Sequence, residues 1–165
     1  YLEACFRESH RLTPSAPISA KTLEKDIDLL IDNESYRAPA DKKICLNLRG
    51  LPMDPNFVDD PNEFIPERFL PEAIQARKGT PSATALDHPY FQDPFGRGKR
   101  RCLGANIAKA EMMVLAARLL QDWEISLEDP NEAYSSPTRT WKPKMKLMLK
   151  ADPYPAMSFT PRRNQ

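Results

Sequence analysis

The junction at residues 94–104, Pro-Phe-Gly-Arg-Gly-Lys-Arg-Arg-Cys-Leu-Gly, constrains this chain more than any other stretch, because a glycine- and arginine-rich turn runs there straight into the best helix-forming segment of the sequence. Four positive charges fall within five residues, at Arg97, Lys99, Arg100 and Arg101. The run ends in Cys102, flanked by Gly98 and Gly104. Glycine lets backbone approach a bulky partner closely or turn through positive φ. Cys102 stands just before a helix start, where amide N–H groups and the helix dipole favour a thiolate over a thiol, and the cations push the same way. In the helix expected over about 105–122, Ile107, Ala108, Ala110, Met112, Val114, Leu115, Ala117 and Leu119 leave almost no purely polar face. Such a pattern predicts a buried helix.

A thiolate held in a loop with room for a flat group on one side is a good axial ligand for haem iron. By residue chemistry alone other readings stay open: a buried structural cysteine, a solvated basic face or nuclear-localisation-like patch, or a nucleic-acid contact. Net charge is only +1, so there is no global basic field aimed at nucleic acid. The three cysteines, at 5, 45 and 102, lie far apart, form no C-x-x-C pair and are accompanied by two histidines, which disfavours a zinc site. An odd, sparse count also argues against a disulfide framework. The apolar runs are too short to span a bilayer, and no signal peptide is visible.

The length of 165 residues suffices for one domain with a real core. Seventeen prolines, about twice the average share, with only five glycines, imply proline-punctuated loops rather than a compact bundle. Residues 1–12 read as a helix, with Leu2, Cys5, Phe6, Ser9 and Leu12 at helical spacing. The chain starts inside this pattern and without Met, as the tail of a longer protein would. Glu8 and Arg11 stand at i, i+3 and can pair. Pro14 and Pro17 end the helix. A polar turn follows, then Ile27, Leu29, Leu30 and Ile31 suit a strand, and Ile44, Leu46 and Leu48 alternate as another. Cys45 is expected to be a core or interstrand thiol. Residues 50–63 read as loop, and residues 71–93 as a mobile surface loop. His10 is expected to be an exposed helix residue. Trp123 and Ile125 leave the long helix for a strand. Met145, Leu147 and Leu149 alternate with lysines as a half-buried strand, with residues 156–160 pairing back.

The spacing Phe95-x-x-Gly98-x-Arg100-x-Cys102-x-Gly104 resembles, position for position, the haem-ligand loop of the cytochrome P450 family. Glu8-x-x-Arg11 is similar to the family's Glu-x-x-Arg helix, and Phe64-Ile-Pro-Glu-Arg68-Phe69 to its Pro-Glu-Arg-Phe segment. The resemblance covers nearly the whole chain, with the motifs in the family's order. It implies a single partial domain over residues 1–165, the C-terminal portion of the family's fold: mainly α with small β-sheets, loop-rich, with the ligand loop followed by a buried helix. Arg68 would join Glu8 and Arg11 in a buried structural cluster. Cys102 would be the axial ligand of haem b iron. Phe95 would pack beside the ligand, Gly98 and Gly104 would give the haem room, and Arg100 and Lys21 would pair with haem propionates. His88 is expected to be structural.

The implied activity is monooxygenation: one atom of O2 enters a small organic substrate. Electrons would come from a donor protein, a reductase or ferredoxin, docking near Arg97, Lys99 and Arg101. Residues 133–142 and 15–20 match the family's substrate-pocket walls. Residues 87–111 resemble the mitochondrial branch, although Ala105-Asn106 departs from the basic pair common there. A membrane-associated location, endoplasmic reticulum or mitochondrion, is implied, with any anchor in a missing N-terminal part. The family's acid–alcohol helix for oxygen activation has no counterpart in these residues, so no catalytic residue can be named and the isolated fragment is expected to be inactive. A non-catalytic haem binder and a degenerate fragment remain the other classes.

Overall fold

The structure, a computed structural model, describes residues 1–133, 142–145 and 149–162. Helix α1 spans Leu2–Leu12. Its inward stripe is Ala4, Glu8, Arg11 and Leu12, so the buried face carries a charge pair as well as apolar groups. The helix stops where Thr13 turns its amide back to the Ser9 carbonyl (2.9 Å) and Pro14, with no N–H, cannot continue the ladder.

Four strands follow as two antiparallel pairs, one nested within the other. β1 (Ile18–Thr22) pairs with β4 (Lys43–Asn47), and β2 (Ile27–Ile31) pairs with β3 (Glu34–Ala38). The sequence reading has no strand at 34–38. The local signal is Asp32-Asn33, whose φ values of 51° and 64° make the two-residue turn with both centres left-handed that suits hairpin twist. Asp26 braces the base of this hairpin, accepting from the Ala40 amide (2.8 Å) and pairing with Arg37 (2.7 Å). β1 replaces the expected polar turn. Cys45 is exposed on β4 rather than buried, because little among the described residues covers that face of a two-stranded sheet.

Residues 50–70 are loop with two 3-10 turns, Leu51–Met53 and Pro66–Phe69. The expected mobile loop at 71–93 is instead three short helices: α2 (Pro71–Ala76), α3 (Pro81–Asp87) and α4 (Pro89–Gln92). Each opens on proline, whose fixed φ and missing N–H suit a first helical position. None is long enough to print a periodicity. Ala85 and Leu86 of α3 join Ala4, Val58 and Phe69 in the core, with Leu51, Phe57 and Leu70 packed against it.

Helix α5 runs Ala105–Asp122, as the pattern predicts, but it is not buried. Ala105 alone of its residues is enclosed, and Ile107, Val114 and Leu115 are each more than 60% exposed. Its main neighbour here is β5 (Trp123–Leu127), its own continuation. A helix with so much apolar surface needs partners on several sides, and the described residues cover little of it.

β5 pairs antiparallel with β8 (Met157–Pro161), where Ser126 and Ser158 hydroxyls meet at 2.8 Å across the ladder. The return strand therefore closes on β5 and not on the lysine-rich segment. That segment is two strands, β6 (Lys142–Met145) and β7 (Leu149–Asp152), paired with each other. Leu147 and most of the expected substrate wall at 133–142 lie outside the described residues. The architecture is α+β: helices with four small two-stranded antiparallel sheets among the described residues.

Candidate functional site

The loop before α5 is built by two left-handed glycines, Gly96 at φ 72° and Gly98 at φ 76°. From Gly98 the chain runs into a 3-10 turn, Gly98–Arg100, and the Arg101 amide closes on the Gly98 carbonyl (3.1 Å). The Cys102 amide then donates to the Phe95 carbonyl (2.9 Å), which fastens the two arms of the loop together. Cys102 is exposed, two residues before Gly104, the residue that caps α5. Gly104 has φ −81°, so backbone conformation does not require glycine there. A Cβ at that position would meet the Cys102 sulfur at 3.9 Å, ordinary contact. Gly96 is a turn-forming residue that the sequence reading passes over, although it lies in the same Phe-Gly-Arg-Gly run. Phe95 is half-buried, with the Lys109 ammonium 5.7 Å from its ring centroid.

The loop's electrostatic centre is Asp93, which sequence reasoning also missed. Its side chain is 5% exposed. One oxygen lies 3.5 Å from Nε of both Arg97 and Arg101, and the other lies 3.9 Å from Lys109 Nζ. The second oxygen also accepts from the Phe95 amide (3.2 Å). Two of the loop cations are thus turned inward onto one carboxylate. Lys99 and Arg100 are exposed and form no ion pair among the described residues.

The structure brings Glu8, Arg11 and Arg68 together. Glu8 is fully buried and Arg11 is 3% exposed. They form a two-pronged pair, Arg11 Nε to Oε2 and a terminal nitrogen to Oε1, both at 2.7 Å. Arg11 also donates to the carbonyls of Pro52 (3.0 Å), Pro61 (2.7 Å) and Glu63 (2.9 Å), and the Ile65 amide donates to Glu8 (2.9 Å). Arg68 Nε stands 3.5 Å from Glu8 without a hydrogen bond, while its terminal nitrogen reaches the Asp60 carbonyl (2.9 Å). One helical ion pair therefore organises the whole 52–65 loop.

Beside it lies a second cluster that the sequence reading lacks. Phe69 packs against both the Arg7 and Arg77 guanidiniums, 4.4 and 5.7 Å from its ring centroid. Arg77 grips Asp87 through two hydrogen bonds (2.7 and 2.6 Å) and donates to the Arg68 carbonyl. Burial pulls the Arg7 guanidinium below its usual range.

Lys21 sits exposed on β1, and no hydrogen bond or ion pair joins it to the cysteine loop among the described residues. His88 caps α4, its Nδ1 accepting from the Tyr90 amide (3.3 Å). His10 is half-buried rather than exposed, and burial lowers its pKa from 6.5 against an opposing pull from Asp93. A shallow cavity of about 370 Å³ lies against residues 17–18 of the expected second wall, with Cys45, Arg49 and Met53 around it.

Among the described residues no group of three or more His, Cys, Asp or Glu side chains could hold a metal ion. Cys102 offers a metal one exposed sulfur, with no cluster of further ligating side chains around it among the described residues. Such a donor set would fit an iron that brings its remaining ligands with it, as in a porphyrin. The exposed apolar positions Leu103 and Ile107, beside the sulfur in sequence, suit a flat apolar group.

Cys102 is thus an exposed thiol on a glycine-turned cationic loop that leads into α5. The chain belongs to the cytochrome P450 family, whose model matches residues 1–154. It is 32% identical to human mitochondrial sterol 26-hydroxylase over 126 residues, 76% of this chain and 22% of that protein. It is 34% identical to mouse cytochrome P450 4V2, over 74% of this chain and 21% of that one. Its fold matches the crystal structure of a cytochrome P450 (CYP102L1) with a TM-score of 0.73 and 25% identity, over 98% of this chain and 32% of the other. The chain thus spans about a fifth of the length of these curated relatives. The family is one of haem-binding monooxygenases. No helix among the described residues is long and apolar enough to cross a membrane.

Proposed function

We propose that these residues form the proximal half of a haem-thiolate monooxygenase site, one partial domain in which Cys102 is the axial ligand of haem b iron. The observation that carries this is the exposed Cys102 sulfur at the end of a loop closed by its own amide on Phe95, inside a chain matched by the family model. Haem bound to a thiolate activates O2 for insertion of one atom into an organic substrate.

The chain's own residues do the holding. Phe95 shields one side of the sulfur, and the amides at the start of α5 moderate its electron donation. Arg100 pairs with one propionate as a charge-assisted contact, and Lys21 with another. Glu8, Arg11 and Arg68 keep the 52–65 loop folded and take no part in chemistry. Arg97, Lys99 and Arg101 present the face on which an acidic electron-donor protein docks, where charge chiefly speeds and orients encounter. Asp93 tempers that face, since it already engages Arg97 and Arg101. Residues 15–20 and 133–142 would wall part of the pocket for the small organic substrate, and no residue of this chain is assigned to oxygen activation. The isolated fragment is accordingly inactive. A membrane-associated location, endoplasmic reticulum or mitochondrion, is part of the same proposal, and the mitochondrial sterol 26-hydroxylase among the relatives supports the second.

The test is the reduced carbon-monoxide spectrum of the polypeptide that carries this chain, as wild type and Cys102→His. A strongly red-shifted Soret band that the substitution abolishes supports thiolate ligation by Cys102. An ordinary haem–CO band in the wild type, or no haem at all, overturns the monooxygenase reading.

A further inference from the structure

We propose that Asp93 is a positioning residue for Cys102: its carboxylate is an ionic clasp that locks both arms of the ligand loop onto α5. The inference rests on Cys102 being the ligand, but the clasp stands on geometry of its own. Asp93 precedes the loop on its ascending arm. Through one oxygen it receives the Phe95 amide, at the residue whose carbonyl receives the Cys102 amide. Through the other it faces Arg97 on the same arm and Arg101 on the descending arm, next to the cysteine. Lys109, one turn into α5, closes the set from the helix while covering the Phe95 ring. Four separate points of the ligand loop and its helix therefore converge on one buried carboxylate.

The charge matters more than the shape. One carboxylate among three cations leaves the cluster net positive, so removing it turns mutual attraction into mutual repulsion of three like charges. Those cations are 36 to 51% exposed, so each pairing is partly screened by solvent. The carboxylate itself is not exposed, which keeps the sum of the three effective. Neighbouring groups complete the field. His10 on α1 also feels Asp93, while Lys99 and Arg100 point outward and do not compete for it.

The experiment is hydrogen exchange resolved over residues 93–105 of the full chain, with and without salt, for wild type, Asp93→Asn and Lys109→Gln. Asn keeps the acceptor for the Phe95 amide and loses only the charge. A clasp makes exchange at the Phe95 and Cys102 amides about tenfold faster in Asp93→Asn, the fold-change equivalent of ~1.4 kcal/mol. Protection in the wild type then falls as salt rises, and that salt dependence disappears in Asp93→Asn. Lys109→Gln, changed at an exposed helix position, gives a smaller loss in the same segment while the β1–β4 ladder keeps its protection. It decides the matter if Asp93→Asn fails to fold. Wild-type exchange in both variants, or protection indifferent to salt, overturns the clasp and leaves Asp93 a local turn cap. In the haem-loaded polypeptide, Asp93→Asn lowers the share of red-shifted carbon-monoxide signal without abolishing it. A wild type that lacks that signal sinks the ligand assignment, while the exchange result still judges the clasp.

Discussion

Arg11→Ala is the substitution from which the structure predicts the largest loss of stability. The side chain makes five hydrogen bonds to oxygen: two to Glu8 and one each to the carbonyls of Pro52, Pro61 and Glu63. Truncation leaves three backbone acceptors without this donor and strands the fully buried Glu8 carboxylate. Arg68 cannot take over, because its Nε is 3.5 Å away and its terminal nitrogen is committed to Asp60. Breaking a buried pair from one side costs about 3–5 kcal/mol. Domains of this size have about 5–15 kcal/mol in total, so the variant is at the edge of folding. Urea denaturation of the full chain, followed by far-ultraviolet circular dichroism, measures it. The double variant Glu8→Ala/Arg11→Ala is expected to cost less than the two single variants together, by at least about 1 kcal/mol, because each single change leaves a buried charge that the double removes. A loss below about 1 kcal/mol for Arg11→Ala, or strict additivity, would refute the view that Glu8 and Arg11 form a desolvated, mutually dependent pair.

Gly98→Ala is expected to destabilise the chain by about 1–2 kcal/mol through backbone conformation alone, since φ is 76° and a Cβ would meet nothing within 4 Å. Gly104→Ala, at φ −81°, serves as the near-neutral control, and equal losses at the two sites in urea midpoints would contradict the assignment of the turn. Burial lowers the His10 pKa below 6.5. The unfolded chain therefore binds more protons in the window from pH 6.5 down through the folded value, so stability is fully present above 6.5 and is lost as pH falls through that window. His10→Gln should flatten that slope, and an unchanged difference between urea midpoints at the two ends of the window would count against it.

Much of the local structure around the cysteine loop is legible in the sequence. Residues 105–122 carry no proline or glycine and a nearly continuous apolar pattern, and α5 occupies that range. Glu8 and Arg11 could be paired from their i, i+3 spacing, but their burial could not, because the 52–65 loop that encloses them has no periodic signal. Arg68 was linked to them only through the family pattern, and the tertiary fold is what brings a residue sixty positions away to 3.5 Å. The helices at 71–93 escaped because each is too short to repeat. Asp93 escaped because an aspartate before Pro-Phe-Gly looks like turn chemistry, and its cations at 97, 101 and 109 converge on it only once the loop has folded back on the start of α5.

By itself the sequence determined the local rules: where backbone must turn through glycine, where proline stops or starts a helix, and where one cysteine precedes a helix start. These depend on neighbours a few residues apart, so the order of residues suffices. Only the tertiary structure decided which charges are buried, which strands pair and which apolar faces stay uncovered. Burying Glu8 requires Arg68 and the Ile65 amide brought from far along the chain, burying Asp93 requires the cysteine loop and the start of α5 folded back over it, and α5 stays exposed because little among the described residues packs on it. Both depend on what lies nearby in space.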